Sequence, residues 1–284
     1  MRVTLIGGTG TLGQRLLDKL CSAGHIVAVM SRGEHAQKEL RAKYPNVRFL
    51  IGDVRDETAV NDAVVGADTV FLLAAIKHVD VAEENPLEAI KTNIMGAVNV
   101  GQAALRYGPE HVVYSNTDKA VLPITTYGYT KALAQNYLLS LNGQGVRFSA
   151  FNWGNVAASK GSVIPIFAEA LLEGRTLRVT DPRMSRFWLL ADDAANFMLN
   201  HYTNAWSDRA MVPPIKAATL LRVIESLARV LNVKSYKMET TGLRGTEKLY
   251  EVLESTHERC FRSDTCEQYT DTELDQMMGV ALAK

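Results

Sequence analysis

Cysteine is scarce in this chain: Cys21, Cys260 and Cys266 are too few and too scattered for a disulfide framework or a four-ligand zinc site. An excess of one charge is also missing. Thirty-one lysines and arginines balance 31 aspartates and glutamates, so the overall basic footprint of most nucleic-acid binders is absent. The six histidines are dispersed without metal-ligand spacing, and no metal is expected. No uninterrupted apolar run approaches the ~20 residues that span a bilayer. The first six residues run straight into a glycine cluster, where a secretory apolar region does not fit. These absences leave a cytoplasmic protein, with neither membrane nor nucleic acid as partner, as the expectation. Disorder is excluded by what is present: 47% apolar residues and evenly mixed charge. The 284 residues suggest about two domains at roughly 150 residues each, or one large α/β unit with an appendage.

The first half alternates strand-length apolar runs with helix-length amphipathic stretches. Residues 3–6, 26–30, 47–51, 69–73, 111–115 and 146–151 read as strands, with helices over 12–21, 34–43 and 127–141 between them. Asn85-Pro86 reads as an N-cap followed by proline at the first helical position. Behind it, Leu87, Ile90, Ile94, Ala97, Val98, Gly101 and Leu105 keep helical spacing and predict one helix to about residue 107. Strand and helix repeated in this way predict a parallel sheet with helices on both faces. Beyond about residue 155 the alternation dissolves, with helices expected over 163–173, 192–202 and 217–231 and short strands between. The division is therefore drawn at 1–155 and 156–284, with an interleaved boundary.

Gly7-Gly8-Thr9-Gly10-Thr11-Leu12-Gly13 lies between the first strand and the first helix. Glycine is needed where the chain turns sharply and where backbone N–H groups approach a pyrophosphate. Unpaired N–H groups and the positive end of the helix dipole complete an anion site there. About twenty residues on, NAD users place an acidic residue against the ribose 2′-hydroxyl. This chain has Ser31-Arg32 instead, a hydroxyl and a guanidinium suited to a 2′-phosphate, so NADP is expected over NAD, which stays possible. Asp53-Val54 follows the third strand, where the carboxylate is placed to accept from the adenine amino group.

Tyr127 and Lys131 stand four residues apart, on one face of the expected helix. A cation beside the phenol favours phenolate, and a phenolate can take a proton from an alcohol while hydride leaves the same carbon. The lysine can also hold the nicotinamide ribose. Just upstream, Ser115-Asn116-Thr117-Asp118-Lys119 ends a strand, at the edge that lines the ligand crevice of an open α/β sheet.

The glycine motif together with Tyr127 and Lys131 resembles the extended short-chain dehydrogenase/reductase family. Within it, further strings resemble the inverting UDP-N-acetylglucosamine 4,6-dehydratases of polysaccharide biosynthesis. These are Ala74 to Val79, Asn85 to Asn93, Thr117-Asp118-Lys119, Gly154-Asn155-Val156, residues 161–165, Asp181 to Phe187 and Arg244 to Leu249. They run across nearly the whole chain in the family's order. Thr-Asp-Lys discriminates: nucleotide-glucose dehydratases of the related branch usually carry Asp-Glu there, and 4-epimerases carry neither pair. The resemblance implies an α/β, Rossmann-like doubly wound parallel sheet with a smaller C-terminal part that binds a UDP-sugar.

It also implies roles. Tyr127 is the base for oxidation at C4, with Thr117 and Lys131 beside it. Neutral Lys119 removes the C5 proton and protonated Asp118 gives a proton to the departing C6 hydroxyl; adjacent burial would push the lysine pKa down and the aspartate pKa up. Hydride returns to C6, and reprotonation of C5 from the opposite face would invert that centre. Ala74, Ala75 and Lys77 join the cofactor contacts, with Lys77 facing either substrate or nicotinamide ribose. Asn155 meets the substrate, Arg186 and Arg244 the diphosphate, and Glu247 supports Arg244 or meets the ribose. The family's Arg-Tyr-Gly-Asn is here Asn152-Trp153-Gly154-Asn155, and its Arg-Pro-Gly-Glu-Lys is Arg244-Gly245-Thr246-Glu247-Lys248. The chain is also shorter than typical members, and no membrane-spanning N-terminal part is expected. Two other readings remain: a UDP-sugar 4-epimerase, which needs Tyr127 but has no use for Asp118 and Lys119, and a non-catalytic dinucleotide sensor. A homo-oligomer paired through the apolar faces of 86–107 and 127–141 follows by analogy of fold.

Overall fold

The computed structural model describes residues 1–159, 161–205, 208–255 and 260–283. It divides into two compact units, Met1–Asn152 with Ala195–Val212, and Trp153–Ala194 with Pro213–Lys284.

The first unit is built on six parallel strands: β1 (Arg2–Ile6), β2 (Ile26–Ser31), β3 (Arg48–Ile51), β4 (Thr69–Leu72), β5 (His111–Ser115) and β6 (Arg147–Phe151). Their order is β3-β2-β1-β4-β5-β6. All four residues of β4 are buried, as are Val3, Leu5 and Ile6 of β1, because helices cover both faces of the sheet. The helices are α1 (Thr11–Ser22), α2 (Glu34–Lys43), α3 (Glu57–Val64), α4 (Val79–Glu84), α5 (Pro86–Ala89), α6 (Gly96–Tyr107) and α7 (Thr126–Ser140). On one face Val60 and Val64 of α3, Val100 and Ala104 of α6 and Leu138 of α7 pack with Val70, Leu72, Val112 and Phe148 of the strands. Strand order reverses direction between β1 and β4. In register, Ile6 stands beside Met30 and Leu72, which brings Gly7, Ser31 and Leu73 to one carboxyl edge.

The single helix expected over 86–107 is interrupted. Residues Ile90–Met95 form a π-helical turn between α5 and α6. The wider turn rotates Thr92 and Asn93 into the interior, where both are buried, although the apolar spacing passes over them. Pro86 does occupy the first turn. Asn85, however, makes no side-chain cap; its Nδ2 donates back to the Val81 carbonyl at 3.1 Å.

The second unit holds β7 (Asn155–Val156), α8 (Val163–Leu172), β8 (Leu177–Val179), β9 (Ser185–Leu189), the start of α9 (Ala191–His201), β10 (Lys216–Thr219), α10 (Leu220–Val230), β11 (Met238–Thr240), β12 (Val252–Ser255), β13 (Cys260–Arg262) and α11 (Asp271–Leu282). Its three-stranded sheet has the order β10-β9-β7, and β8–β11 and β12–β13 form separate pairs. Trp188, Ile164, Phe167, Val223, Leu227, Leu274 and Met278 form its core. The helix expected from 217 begins at Leu220, because Ala217 and Ala218 pair with Phe187 and Arg186 of β9. Thr219 then caps it, accepting from the Arg222 amide. Among the described residues, no helix is long and apolar enough to cross a membrane.

Leu138 lies on the buried side of α7 and is 1% exposed. Leu138→Ala is expected to cost about 2–5 kcal/mol through lost burial and a cavity under the helix. Urea unfolding measures it; a loss below about 1 kcal/mol would show that α7 is not fastened to the sheet there.

Candidate active site

The glycine motif forms the β1–α1 turn. Gly7 has φ +88°, and a Cβ there would lie 2.5 Å from the Ala74 amide nitrogen, so only glycine fits between the ends of β1 and β4. At Gly13 a Cβ would meet the Gly8 carbonyl oxygen at 2.5 Å, which is the close turn–helix packing the motif provides. Gly10 is the N-cap of α1 and has no side-chain cap, so the N–H groups of Thr11, Leu12 and Gly13 point out of the helix end. A Cβ at Gly10 would meet only the Gly7 oxygen, at 3.5 Å. The Thr9 carbonyl accepts from Gln14 Nε2 at 2.9 Å, which holds the turn in place.

At the end of β2, Ser31 is buried and Arg32 is exposed. Gln37, absent from the sequence-based site, donates to the Ser31 carbonyl and hydroxyl and to the Leu50 carbonyl, at 2.9, 3.0 and 2.6 Å. Arg32 approaches Asp53 at 4.0 Å, but Arg55 grips that carboxylate more closely, at 2.9 and 2.6 Å. Burial raises the Asp53 pKa, and the Arg55 hydrogen bonds outweigh it, so the net direction is downward. Val54 is buried, and its carbonyl accepts from Asn99 Nδ2 at 3.0 Å. An open helix N-terminus, bare glycine turn and cationic β2 edge together fit a dinucleotide laid across this carboxyl edge.

Ala74, Ala75 and Lys77 follow β4. Ala74 and Ala75 are half-buried and Lys77 is exposed. The loop is tied down by Asn93 of the π-turn: Oδ1 accepts from the Ile76 amide at 2.8 Å, and Nδ2 donates to the Ile76 carbonyl at 3.1 Å and to Thr130 Oγ1 at 3.0 Å. One side chain thus joins the loop to α7. Its signal in the sequence is a polar pair, Thr92-Asn93, inside a helix-length apolar pattern.

Thr117, Asp118, Lys119, Tyr127 and Lys131 lie together. Asp118–Ala120 is a 3₁₀ turn seated on the first turn of α7, where a Cβ at residue 128 would stand 2.3 Å from the Lys119 carbonyl oxygen. Gly128 is therefore what lets the Asp118 turn close on the tyrosine helix. Lys119 Nζ donates to Asp118 Oδ1 at 3.0 Å, and Thr117 Oγ1 donates to the same oxygen at 2.9 Å. Asp118 is fully buried, and among the described residues its Oδ2 has no hydrogen-bond partner. The two side chains lie at ion-pair distance.

Tyr127 is 7% exposed and packs with Ala82 and Ala89, bordered by Ile76 and Val79. Burial pushes its pKa up to about 12; Lys119 and a hydrogen bond with Thr117 pull the other way, and Asp118 adds to the rise. Lys131 Nζ donates to the Ser115 carbonyl at 2.8 Å and sits 4.0 Å from the centre of the Tyr114 ring. Lys119 is a cation that favours the phenolate. Burial lowers Lys131 itself to about 7.

Within the second unit, Asn155 is half-buried on β7, paired with Trp188. Arg186 is 9% exposed; its guanidinium donates to the carbonyls of Ser185 and Lys248 at 2.8 and 2.9 Å and lies 3.8 Å from Glu251. It bolts β9 to the segment before β12. Arg244 is exposed, and its amide donates to Glu247 Oε2 at 3.0 Å. Arg244 lines a concavity of about 390 Å³ with Arg178, Thr180 and Thr241.

A parallel sheet with reversal at β1/β4, a glycine turn at that reversal and a buried Tyr-x-x-x-Lys helix define an enzyme fold of the extended short-chain dehydrogenase/reductase class. The family model for polysaccharide biosynthesis protein matches residues 3–273, and the chain belongs to that family. It is 34% identical over 263 residues to the inverting UDP-N-acetylglucosamine 4,6-dehydratase of Campylobacter jejuni, covering 89% of this chain and 77% of that one. It is also 34% identical over 276 residues to a UDP-glucose 4-epimerase of Rickettsia bellii, covering 93% and 81%. The X-ray structure of Pen from Bacillus thuringiensis superposes with a TM-score of 0.92 at 30% identity, covering 100% of this chain and 98% of that one.

Lys131 generates a prediction in stability. An unfolded lysine titrates near 10.4, whereas Lys131 in the folded chain titrates at about 7. Between those values the unfolded state binds more protons, so stability rises with pH there, and the cost of the buried ammonium is fully present below about pH 7. Lys131→Met abolishes this dependence. In urea unfolding from about pH 6 to 10, the wild type is expected to gain stability relative to the variant; parallel profiles would refute the buried, depressed lysine.

Proposed function

We propose that the chain removes water from UDP-N-acetylglucosamine, giving a UDP-4-keto-6-deoxy sugar with inversion at C5. The observation that carries this is the pair of buried Asp118 and half-buried Lys119 seated on the Tyr127 helix. Oxidation at C4 followed by reduction at C6 needs a redox partner, which a bound nicotinamide dinucleotide supplies. The chain's own residues handle the protons. Tyr127, in the phenolate form that Lys119 and Thr117 favour, takes the proton of the C4 hydroxyl, after which the C5 proton, now α to a ketone, is acidic. Lys119 accepts it, while Asp118 gives a proton to the C6 hydroxyl, which leaves as water. A proton returned to C5 from the opposite face completes the inversion.

The ion pair reaches that working state by one short movement. A proton passing from Lys119 Nζ to Asp118 Oδ1 along the 3.0 Å hydrogen bond converts the pair into a neutral base and a neutral acid. Net charge in the buried site does not change. Thr117, donating to the same oxygen and bonded to Tyr127, keeps the three groups in one network.

NADP is proposed over NAD because Arg32 is exposed at the β2 edge and no carboxylate replaces it there. In the second unit, Asn155, Arg244 and Glu247 are proposed to contact the nucleotide-sugar. Arg186 is proposed to act by holding residues 248–251 in place. Cytoplasmic location and self-association through the outer side of α7, where Tyr129 and Leu133 are exposed, belong to the same reading.

The second reading is a UDP-sugar 4-epimerase, favoured by the equal identity to the Rickettsia bellii epimerase. That reaction needs Tyr127 and leaves C6 oxygenated. NMR of the product formed from UDP-N-acetylglucosamine in deuterated water separates the two. Loss of the C6 oxygen with deuterium at C5 is expected; a C6-oxygenated C4 epimer would establish the alternative. Lys119→Ala is expected to reduce dehydration by about 10²–10⁴-fold, the usual worth of a positioned proton-transfer group, whereas an epimerase would keep most of its turnover.

For the cofactor, Arg32→Ala is expected to weaken NADPH binding about 10–100-fold and NADH binding much less, since charge-assisted phosphate contacts are about 1.5–3 kcal/mol each. Fluorescence titration with both dinucleotides reads this, and an equal change in the two would refute the assignment of Arg32.

A further inference from the structure

The catalytic helix α7 begins in an unusual way. Its N-cap Thr125 accepts from the Gly128 amide at 3.0 Å, but its first turn contains no acidic residue to meet the positive end of the dipole. The missing carboxylate arrives from elsewhere in the chain. Glu83, in α4 and 43 residues upstream, accepts from the Thr126 amide at 2.6 Å and from Thr126 Oγ1 at 3.0 Å. Thr126 is the residue directly before Tyr127.

The element that carries Glu83 also walls the phenol. Ala82 packs on Tyr127, with Ala89 of α5 beside it and Ile76 and Val79 at the border. Ile76 is held by Asn93, which leaves α4 itself to be secured. The two bonds from Glu83 join this wall to the helix end that presents Tyr127. They are charge-assisted and both reach a single residue, so they fix the approach of α4 to α7 in two directions.

We propose that Glu83 is the positioning residue for Tyr127, latching α4 onto the first turn of α7 so that the apolar wall stays closed around the phenol. Glu83 touches neither cofactor nor reacting atoms; it acts through Thr126 and Ala82. The proposal deepens the reading of Tyr127 as the C4 base and rests on it for its kinetic consequence only.

A pair of substitutions tests it cleanly. Glu83→Ala deletes both acceptors. Thr126→Pro deletes both donors and leaves the helix sound, because proline is favoured at the first helical position. The residue ahead of it, Thr125, already has φ −128° and ψ 155°, the extended conformation that precedes proline. Each single variant is expected to lower kcat on UDP-N-acetylglucosamine by about 10–100-fold with KM changed less than about threefold, the signature of a mispositioned catalytic group. Because both changes break one latch, the double variant should be no slower than the slower single. Hydrogen exchange in a peptide covering residues 127–133 should accelerate in all three variants alike.

Losses that multiply in the double variant would overturn the latch, as would a rise in KM with kcat intact or unchanged exchange. If the wild type turns over no UDP-sugar, the functional reading fails on its own. The exchange arm then decides: equal acceleration in the two singles and the double supports the latch, and no acceleration refutes it.

Discussion

A phenol and an ammonium buried on one face of a single helix are costly to keep, and the first unit is arranged around that cost. Tyr127 and Lys131 are 7% and 3% exposed, and desolvation drives each toward its neutral form. The sheet answers for the lysine: the Ser115 carbonyl and the Tyr114 ring, both from the end of β5, receive its ammonium. The Asp118 turn answers for the tyrosine, through Thr117 and Lys119. Neither answer would reach its target if α7 stood farther from β5. Gly128 sets how closely the Asp118 turn approaches α7, because any side chain there would collide with the Lys119 carbonyl.

The same economy explains where the polar residues of the interior sit. Asn93 could have been a liability in a helix packed on the sheet. The π-turn rotates it to a place where its amide serves both backbone groups of Ile76 and the hydroxyl of Thr130. Gln37 does similar service beneath β2 and β3, spanning Ser31 and Leu50. Each of these residues fixes a loop at the carboxyl edge of the sheet. Loops at that edge have to be shaped for a ligand, yet their backbone groups cannot be left unpaired in the interior.

These features also mark how much could be read from residues alone. The six strands were legible because each is a short apolar run that two-sided burial demands. The glycine turn and the Tyr127–Lys131 spacing were legible because local geometry dictates them. The π-turn was not: the apolar period continues through Ile90 and Ile94, and only tertiary packing reveals that Asn93 faces inward. The direction of the Lys131 side chain was hidden for a like reason, since helical spacing places it near Tyr127 without saying that β5 offers a carbonyl and a ring. In the second unit, Ala217 and Ala218 favour helix locally, and pairing with β9 overrides that propensity. The resemblance implies a diphosphate contact for Arg186; what could not be read from residues alone is that its guanidinium also serves the backbone carbonyls of Ser185 and Lys248.

The pairing of Asp118 with Lys119 bears on chemistry as well as on packing. An isolated buried carboxylate or ammonium would be forced to neutralise by shifting its own proton equilibrium. Joined by a hydrogen bond, the two remain jointly neutral whether the proton rests on nitrogen or on oxygen, so the surroundings need not reorganise when it moves. Elimination of water uses a base at one carbon and an acid at its neighbour, and a pair that exchanges one proton internally can present both. An epimerase, which moves only the proton on the C4 oxygen, gains nothing from such a pair. It would still bear the expense of burying Asp118 with Oδ2 lacking a hydrogen-bond partner among the described residues. That expense is intelligible if Oδ2 meets a hydroxyl of a bound substrate.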